Sequence, residues 1–267
     1  MKVLVYVNKL KDKNSEILNG LLTCLNSRDI EYSVIDNNKD VIDVDYSAMF
    51  VIGGDGTILC TTELAVKNNI PIIGINAGKL GFLSEFEQNE IEDAVSLFIK
   101  GELRNDVRSI LNVSFNGENF MALNDVVIQR IYNKDGAMTI SLDVSIDNDK
   151  TDTIRGDGVI VATPTGSTAY SLSAGGAILA PGINAFSITP IAAHSYSQRA
   201  VVYSSSSTCK IILNEGDSAG LFVDGKLVSK VSQGGEAIIT KHEKNVVFLR
   251  KKDTSFFKRL AFKIKNR

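Results

Sequence analysis

The chain has 267 residues, of which 44% are apolar and 22% are charged, as expected for a soluble globular protein with one large domain or two modest domains. The net charge of −2 argues against a general nucleic-acid-binding protein, and no apolar stretch approaches the roughly 20 residues that cross a bilayer. Three widely spaced cysteines predict neither a disulfide framework nor a zinc site. The N-terminus leads directly into an apolar strand without a secretion signal, so we expect a cytoplasmic protein.

The first hundred residues alternate between strand and helix signals. Apolar runs that suit strands occupy 2–7, 30–35, 48–52 and 72–75. Helical periodicity occupies 15–26, 57–67 and 91–100. This alternation predicts an α/β domain with right-handed crossovers and a parallel sheet, which binds ligands at the carboxyl ends of its strands.

The pattern changes after Gly101 to short strands joined by turn signals such as Asn116-Gly117 and Asp224-Gly225. The predicted strands occupy 109–115, 122–129, 139–146, 210–213, 220–223 and 246–249. Small residues over 167–180 predict one helical insertion. We therefore predict an α/β domain at 1–101 and a β-rich domain at 102–249.

The last segment, 250–267, carries eight basic residues and one acidic residue. Phe256, Phe257, Leu260 and Ile264 fall on one face of a helix. A basic amphipathic helix can lie on a membrane surface, but we expect this one to dock its apolar face on the body of the protein.

The loop Gly53-Gly54-Asp55-Gly56-Thr57 lies between a predicted strand and a predicted helix. Glycine accepts positive φ and has no Cβ, so three glycines allow the backbone to turn sharply and to approach a ligand closely. A carboxylate at this position of an α/β protein indicates a phosphate-bearing ligand. An ordinary turn with a capping aspartate explains the five residues equally well.

A second glycine-rich segment, Gly74–Phe82, also follows a strand directly. Gly78-Lys79 lacks the spacing of a nucleotide-binding P-loop, and Leu80 replaces the hydroxyl residue that would bind magnesium. The Asp55 loop does not complete the dinucleotide pattern G-x-G-x-x-G either. No histidine or cysteine arrangement supports zinc hydrolysis or thiol catalysis.

The densest polar cluster extends from Arg155 to Gly176 and includes Asp157. Five hydroxyl residues and Tyr170 lie within 163–171. Hydroxyls and free N–H groups at a helix start near Ser167 can bind anions, and Tyr170 can stack on a base. The alternative is that these residues cap a helix and allow close packing. For the pair Asn124-Asp125, at a strand boundary, a turn role and a ligand contact both stay open.

Taken in order, these motifs resemble the NAD kinase family. The matching segments are Gly-Gly-Asp-Gly-Thr at 53–57, Gly-Ile-Asn-x-Gly-x-Leu-Gly-Phe-Leu at 74–83, Asn-Asp at 124–125 and the long stretch at 156–176. Lipid kinases and phosphofructokinases share the first motif, whereas the last is specific to NAD kinases. Two departures are Asp125, where the family often has glutamate, and Ala192-Ala193, where relatives often show Cys-Pro.

The resemblance implies phosphorylation of the adenosine ribose 2′-hydroxyl of NAD by ATP, with a divalent ion, expected to be Mg²⁺, carried by the ATP phosphates. It implies Asp55 as the general base, with Gly54, Gly56 and Thr57 near the donor phosphates. The residues that it implies for NAD are Asn124, Asp125, Arg155, Asp157, Thr165, Thr168, Ala169, Tyr170, Ser171, Leu172, Ser173 and Ala192. It implies no protein metal ligand.

The position of Ala192 comes from a neighbouring subunit in relatives, so a homodimer or homotetramer is expected. Alternative functions are a lipid or sphingoid kinase of the same superfamily and a non-catalytic NAD(P)-binding sensor. The hydroxyl-rich segment suits a polar dinucleotide better than a lipid, and the presence of Asp55 favours an enzyme over a sensor.

Overall fold

The computed structural model describes residues 1–12, 15–37, 44–78, 81–131, 139–195, 198–216 and 219–265. Within these residues the chain forms two compact units. Unit 1 combines Met1–Val107 with Asn245–Arg267, and unit 2 is Arg108–Lys244. Lys79 and Leu80 of the second glycine-rich motif, and the side chain of Ile264, lie outside the described part.

The strands, in chain order, are β1 (Lys2–Val7), β2 (Glu31–Ile35), β3 (Ala48–Gly53), β4 (Ile72–Asn76), β5 (Phe86–Glu87), β6 (Arg104–Arg108), β7 (Leu111–Phe115), β8 (Glu118–Ala122), β9 (Asp125–Arg130), β10 (Ile140–Ile146), β11 (Asp149–Gly156), β12 (Gly158–Ala162), β13 (Ala185–Ile191), β14 (Val201–Ser204), β15 (Cys209–Glu215), β16 (Ala219–Val223), β17 (Lys226–Val231), β18 (Glu236–Lys241) and β19 (Val246–Arg250). The helices are α1 (Glu16–Asn26), α2 (Asp55–Lys67), α3 (Ile91–Ile99), α4 (Tyr170–Ser173) and α5 (Phe256–Lys265). Among the described residues no helix is long and apolar enough to cross a membrane.

Unit 1 contains a seven-stranded sheet in the order β2-β1-β3-β4-β19-β6, with the short strand β5 paired to β4. The pairs β1–β2, β1–β3 and β3–β4 are parallel, as the alternation of strands and helices predicted. Strands β3 and β4 are buried along their whole length, which explains why they appear in the sequence as unbroken apolar runs. The predicted α/β class of the N-terminal part is confirmed.

Strand β19 returns the chain to unit 1. The sequence assigned 246–249 to the β-rich domain, but Phe248 pairs with Ile72 of β4 in parallel. The first unit also extends to Val107, beyond the predicted limit at 101, because β6 joins the same sheet. The predicted domain limits therefore differ from the observed units at both ends.

Unit 2 is a sandwich of two antiparallel sheets. Their strand orders are β11-β10-β15-β18-β7-β8 and β14-β13-β12-β9-β16-β17. The apolar core takes residues from both sheets, including Leu142 and Ile211 from the first and Ile128 and Val161 from the second. The predicted β-rich class is confirmed. The two ends of unit 2 lie side by side, since the His242 N–H donates to the Ile110 carbonyl (2.9 Å).

The helical insertion predicted over 167–180 is much shorter in the structure. Only a 3₁₀ turn at Gly166–Thr168 and the four-residue helix α4 form there. The segment then continues without regular structure to β13. Hydroxyl side chains replace the helical ladder: the Ser167 hydroxyl donates to the Pro164 carbonyl (2.6 Å) and accepts the Leu179 N–H (2.9 Å).

Candidate functional site

Asp55 is the first residue of α2 and follows the carboxyl end of β3. Its carboxylate accepts three backbone hydrogen bonds from the end of the second glycine-rich motif and the residue that follows it. Oδ2 accepts the Phe82 N–H (2.7 Å), and Oδ1 accepts those of Leu83 (3.0 Å) and Ser84 (3.4 Å). The first two motifs are thus joined through one side chain, and the carboxylate is held in a single orientation.

The glycines of the Asp55 loop allow other atoms to come close to the backbone. They do not supply the positive φ that the sequence suggested. None of Gly53, Gly54 and Gly56 has a positive φ. A Cβ on Gly53 would lie 2.4 Å from the Thr57 hydroxyl oxygen, so glycine is required there by packing. A Cβ on Gly54 or Gly56 would meet no atom within 4 Å, so these glycines leave the start of α2 open.

Gly81 permits the observed position of Asp55. A Cβ at Gly81 would lie 1.8 Å from Oδ1 and 2.4 Å from Oδ2 of that carboxylate. The space that a Cβ on Gly81 would occupy is already taken by the Asp55 carboxylate, so any larger residue at position 81 would displace that carboxylate. Sequence reasoning did not assign a role to Gly81, although it lies within the motif that carried the resemblance.

Two asparagines lie at the carboxyl edge of the same sheet. The Asn8 side chain, just after β1, donates to the Thr57 hydroxyl (2.9 Å). Asn76, the last residue of β4, is buried and donates to the Gly78 carbonyl (2.5 Å). Its Oδ1 atom has no hydrogen-bond partner among the residues that the structure describes. The edge therefore presents polar groups on three neighbouring strands, as the topology predicts for a ligand site.

A buried charge cluster lies next to the segment that holds Asp55. Glu85 pairs with Arg250 (2.8 Å) and Arg259 (2.9 Å), and Arg250 also pairs with Asp106 (2.6 Å). Sequence reasoning missed this cluster because its members are far apart in the chain and share no motif.

In unit 2, Asn124 and Asp125 lead into β9 and are held by Asp224. The Asp224 carboxylate accepts the N–H groups of Leu123 (2.9 Å), Asn124 (2.8 Å) and Asp125 (3.1 Å). Asp125 is itself buried. Burial, together with the negative charge of Asp224, raises the pKa of Asp125 to about 7. Burial also raises the pKa of Asp224, and its three N–H bonds oppose that shift.

Because the pKa of Asp125 is raised, we expect its effect on the free energy of unfolding to depend on pH. Below pH 4, near the pKa of this carboxyl group in the unfolded chain, the group is neutral in both the folded and the unfolded chain. The penalty for burying its charge grows as the pH rises from about 4 towards 7. We expect Asp125→Asn to remove this penalty. The variant should gain about 4 kcal/mol in free energy of unfolding at pH 8, and nothing at pH 3, in urea titrations.

Asp143→Asn provides the matched control on the other sheet of unit 2. Lys150 and Thr153 lower the pKa of Asp143 to about 2 by hydrogen bonding. That stabilisation is present above pH 4 and lost as the pH falls through 2, so this variant should lose stability at pH 8 and not at pH 2. Parallel curves for Asp125→Asn and the unmodified chain would contradict the prediction.

The hydroxyl-rich segment is mostly turned inward. Its five hydroxyl residues, Thr163, Thr165, Ser167, Thr168 and Ser171, are all buried. The Thr165 hydroxyl accepts from Arg108 (3.1 Å), and the Thr168 hydroxyl donates to the Thr165 carbonyl (3.1 Å). The Ser171 hydroxyl lies 2.9 Å from that of Thr189. The hydroxyls thus stabilise the segment, although no side chain caps the 3₁₀ turn or α4, and no helix long enough to bind an anion starts at Ser167.

The part of this segment that reaches the surface is shorter. Ser173 and Tyr170 are exposed, and Ala169 and Leu172 are partly exposed. The Tyr170 hydroxyl lies 3.5 Å from the Gln129 side-chain oxygen. Gln129 pairs with Gly158 at the start of β12, whereas Asp125 pairs with Ala162 at its end. The segment therefore leaves β12 near Asp125 and brings Tyr170 back towards the opposite end of the strand.

Asp157 lies at that opposite end. It pairs with Arg130 (3.0 Å), and its N–H donates to the Ile191 carbonyl (2.9 Å), next to Ala192. Ala192 is exposed and has a φ of 45°, a strained conformation for a residue with a Cβ. The structure thus brings Asp157 and Ala192 together.

Arg155 contacts the segment after Ala192 through its backbone, because its carbonyl accepts the His194 N–H (2.9 Å), but its side chain lies elsewhere. Its guanidinium pairs with Glu215 (3.0 Å) in an exposed ion pair.

Both halves of the chain match models of one family. Residues 5–103 match the ATP-NAD kinase N-terminal domain, and residues 123–251 match the ATP-NAD kinase C-terminal domain. The second match ends one residue beyond β19. It also contains Asp125, Asp157, the hydroxyl-rich segment and Asp224.

Similar proteins include NAD kinases from bacteria and an archaeon. The NAD kinase of Caldicellulosiruptor bescii is 35% identical over 99% of this chain and 100% of its own length. That of Carboxydothermus hydrogenoformans is 37% identical over 97% of this chain and 92% of its own length. That of Methanothermobacter thermautotrophicus is 37% identical over 79% of this chain and 74% of its own length.

Solved structures of similar fold include an NAD kinase from Archaeoglobus fulgidus in complex with ATP, with a TM-score of 0.81, 25% identity and full coverage of both chains. Yeast NADH kinase complexed with NADH has a TM-score of 0.87 and 23% identity, covering 99% of this chain and 87% of the other, and shows the fold alone. The motif-based resemblance is confirmed by family models across both units and by relatives that are 35–37% identical over most of the chain. The chain belongs to the ATP-NAD kinase family.

Proposed function

We propose that the chain transfers the terminal phosphate of ATP to the 2′-hydroxyl of the adenosine ribose of NAD, giving NADP and ADP. Membership of the ATP-NAD kinase family supports this reaction. The observation that carries it to particular residues is the Asp55 carboxylate. Three N–H groups fix it at the start of α2, on the ligand-binding edge of a parallel sheet.

In this proposal Asp55 is the general base. A carboxylate oxygen has about two acceptor sites, and among the described residues Oδ2 accepts only the Phe82 N–H, so it has capacity for one more donor. Oδ2 accepts the proton of the ribose 2′-hydroxyl. The ribose oxygen forms a bond to the γ-phosphorus as the bond to the bridging oxygen breaks, and ADP leaves with that electron pair.

The donor phosphates are assigned to Gly54, Gly56 and Thr57. These residues form the N-terminus of a 13-residue helix, where the helix dipole favours negative charge, although the Thr57 N–H itself donates to the Gly54 carbonyl (2.9 Å). The open space at Gly54 and Gly56 supports close approach of phosphate oxygens to the backbone.

NAD is assigned to unit 2. We place its riboses against Asn124 and Asp125 and its nicotinamide end towards Asp157, with Ala192 nearby. The exposed members of the hydroxyl-rich segment line the adenine and ribose pocket: Ala169, Tyr170, Leu172 and Ser173. Thr165, Thr168 and Ser171 act indirectly, by holding that segment in shape. Arg155, which faces Glu215, is the weakest of these assignments.

The divalent ion, proposed to be Mg²⁺, belongs to the ATP substrate. Among the described residues no group of three or more His, Cys, Asp or Glu side chains could hold a metal. Mg²⁺ keeps several waters and binds phosphates with few protein ligands, so the donor set of the chain fits an ion that arrives with ATP. The ion would neutralise phosphate charge when it is bound.

We also propose that the chain acts in the cytoplasm as a homodimer or homotetramer. Support comes from exposed Ala192 and from the edge strand β14, where Val201 and Val202 are exposed. A monomeric mass in light scattering at micromolar concentration would contradict the oligomer.

The test is formation of NADP from NAD, ATP and magnesium by the purified chain. Asp55→Asn should keep NAD affinity and lower turnover by about 10²–10⁴-fold, the usual contribution of a general base. Glu63→Gln is the matched control, because Glu63 is exposed on the same helix and pairs with exposed Lys67. Absence of NADP with the unmodified chain, or full turnover in Asp55→Asn, would contradict the proposal.

A further inference from the structure

Glu85 lies one residue beyond the segment whose N–H groups hold Asp55. Its side chain is only 1% exposed, yet it accepts four donors, all from residues 250–259. The donors are the guanidinium groups of Arg250 (2.8 Å) and Arg259 (2.9 Å), the Lys251 N–H (3.2 Å) and the Thr254 hydroxyl. The C-terminal segment is therefore fixed to the Asp55 site by one fully used carboxylate.

The two arginines also hold the backbone that contacts Asp55. Arg250 (3.1 Å) and Arg259 (3.2 Å) both donate to the Phe82 carbonyl. That carbonyl and the Leu83 N–H belong to one planar peptide group, and this N–H donates to Asp55 Oδ1 (3.0 Å). Two cations and the Asp55 carboxylate thus bind opposite ends of the same peptide. Hydrogen bonds connected in this way polarise and strengthen one another.

Helix docking alone does not explain this arrangement. Glu85, Asp106, Arg250 and Arg259 carry formal charges that sum to zero, and all four are largely buried. A well-packed apolar contact commonly gives equal or greater stability than a buried ion-pair network. What the network adds is a fixed position for the backbone of residues 82–84. Arg259 donates to the carbonyls of Phe82 and Ser84. Between these two carbonyls lie the N–H groups of Leu83 and Ser84, which both donate to Asp55 Oδ1.

We propose that Arg259, braced by Glu85, is a positioning residue for phosphoryl transfer. It fixes the peptide between Phe82 and Leu83 so that its N–H group aims the Asp55 carboxylate at the acceptor hydroxyl. This inference rests on the proposed role of Asp55 as base. It gives helix α5 a part in the reaction.

The test replaces Arg259 with methionine, which keeps the aliphatic stem and removes the donors. The kcat for NADP formation should fall about 10- to 100-fold, the scale of a misplaced catalytic group, while KM for NAD stays within about twofold. Arg259→Lys should recover part of kcat, because an ammonium group keeps the positive charge but lacks the rigid, planar set of N–H donors of a guanidinium group. Lys258→Met, exposed on the same helix, should match the unmodified chain.

Thermal unfolding and NAD affinity are measured on every variant, so a folding defect is recognised directly. A folded Arg259→Met variant with kcat within about twofold of the unmodified chain would overturn the proposal. If the methionine variant does not fold, the lysine variant is compared in the same way, and an unchanged kcat there has the same meaning.

A double variant separates positioning from general damage. In the Asp55→Asn background, Arg259→Met should cause little further loss of residual turnover, because Arg259 acts through Asp55. Equal fold losses in both backgrounds would assign Arg259 a structural role and refute the inference. Full turnover of Asp55→Asn alone would instead refute the proposed function, so the two failures are distinguishable.

Discussion

Gly166→Ala is expected to lower the free energy of unfolding of unit 2 by about 3–5 kcal/mol, at the upper end of single substitutions. Gly166 is buried, and a Cβ there would lie 2.0 Å from the carbonyl oxygen of Asn124 and 2.4 Å from its carbonyl carbon. Both contacts are with backbone, so no side-chain rotation relieves them. The Asn124 carbonyl also accepts the Thr163 N–H (2.9 Å), and movement would break that bond.

The measurement is urea or thermal unfolding of the full chain, with NAD affinity followed in parallel. Gly182→Ala is the matched control, because a Cβ there meets no atom within 4 Å and the residue lies in the same unit. We expect NAD affinity to fall with Gly166→Ala as well, since the clash displaces Asn124. Equal unfolding midpoints for the two variants would refute the packing argument.

Gly81→Ala is expected to reduce turnover at least about 100-fold while the free energy of unfolding falls by about 1–3 kcal/mol, because the displaced carboxylate gives up hydrogen bonds to Phe82, Leu83 and Ser84. The new Cβ would occupy the position of the Asp55 carboxylate, 1.8 Å from Oδ1. A side chain can move where a backbone cannot, so the chain still folds and the main effect is the changed orientation of Asp55. Turnover should therefore fall much further than the fraction of folded protein, which separates the two effects.

Steady-state NADP formation and thermal unfolding, measured on the same samples, check this separation. Gly78→Ala is the control in the same motif, because a Cβ there has open space within 4 Å. If Gly81→Ala keeps turnover within about threefold, the carboxylate position seen here is not the catalytic one.

The central strands of unit 1 could be predicted to within a residue. Strands β1, β3 and β4 are buried on both faces, so each appears as a continuous apolar run. The outer strands of unit 2 could not be predicted in the same way. In β11 (DKTDTIRG) and β17 (KLVSKV) most side chains are at least partly exposed, and polar side chains there hide the strand signal.

The candidate site also combines features that neighbouring residues encode with features that only distant contacts create. Asp55 and its glycines are contiguous in sequence, so their position at a strand-to-helix junction was predictable. The direction of a hydroxyl group is not encoded in composition, and the segment after Thr163 was expected to face a ligand when most of it faces inward. The contacts of Glu85 with residues 250–259 have no local pattern at all and needed the fold to reveal them.

Because β19 returns to the first sheet, synthesis of unit 2 is complete before that of unit 1. Unit 2 possesses all its strands once Lys244 has been added, whereas unit 1 still lacks β19 and α5 at that moment. The Asp55 loop is among the first parts to be synthesised and receives its two arginines among the last. A chain that terminates before Arg250 would carry a complete sandwich in unit 2 and an Asp55 loop without its two arginines in unit 1.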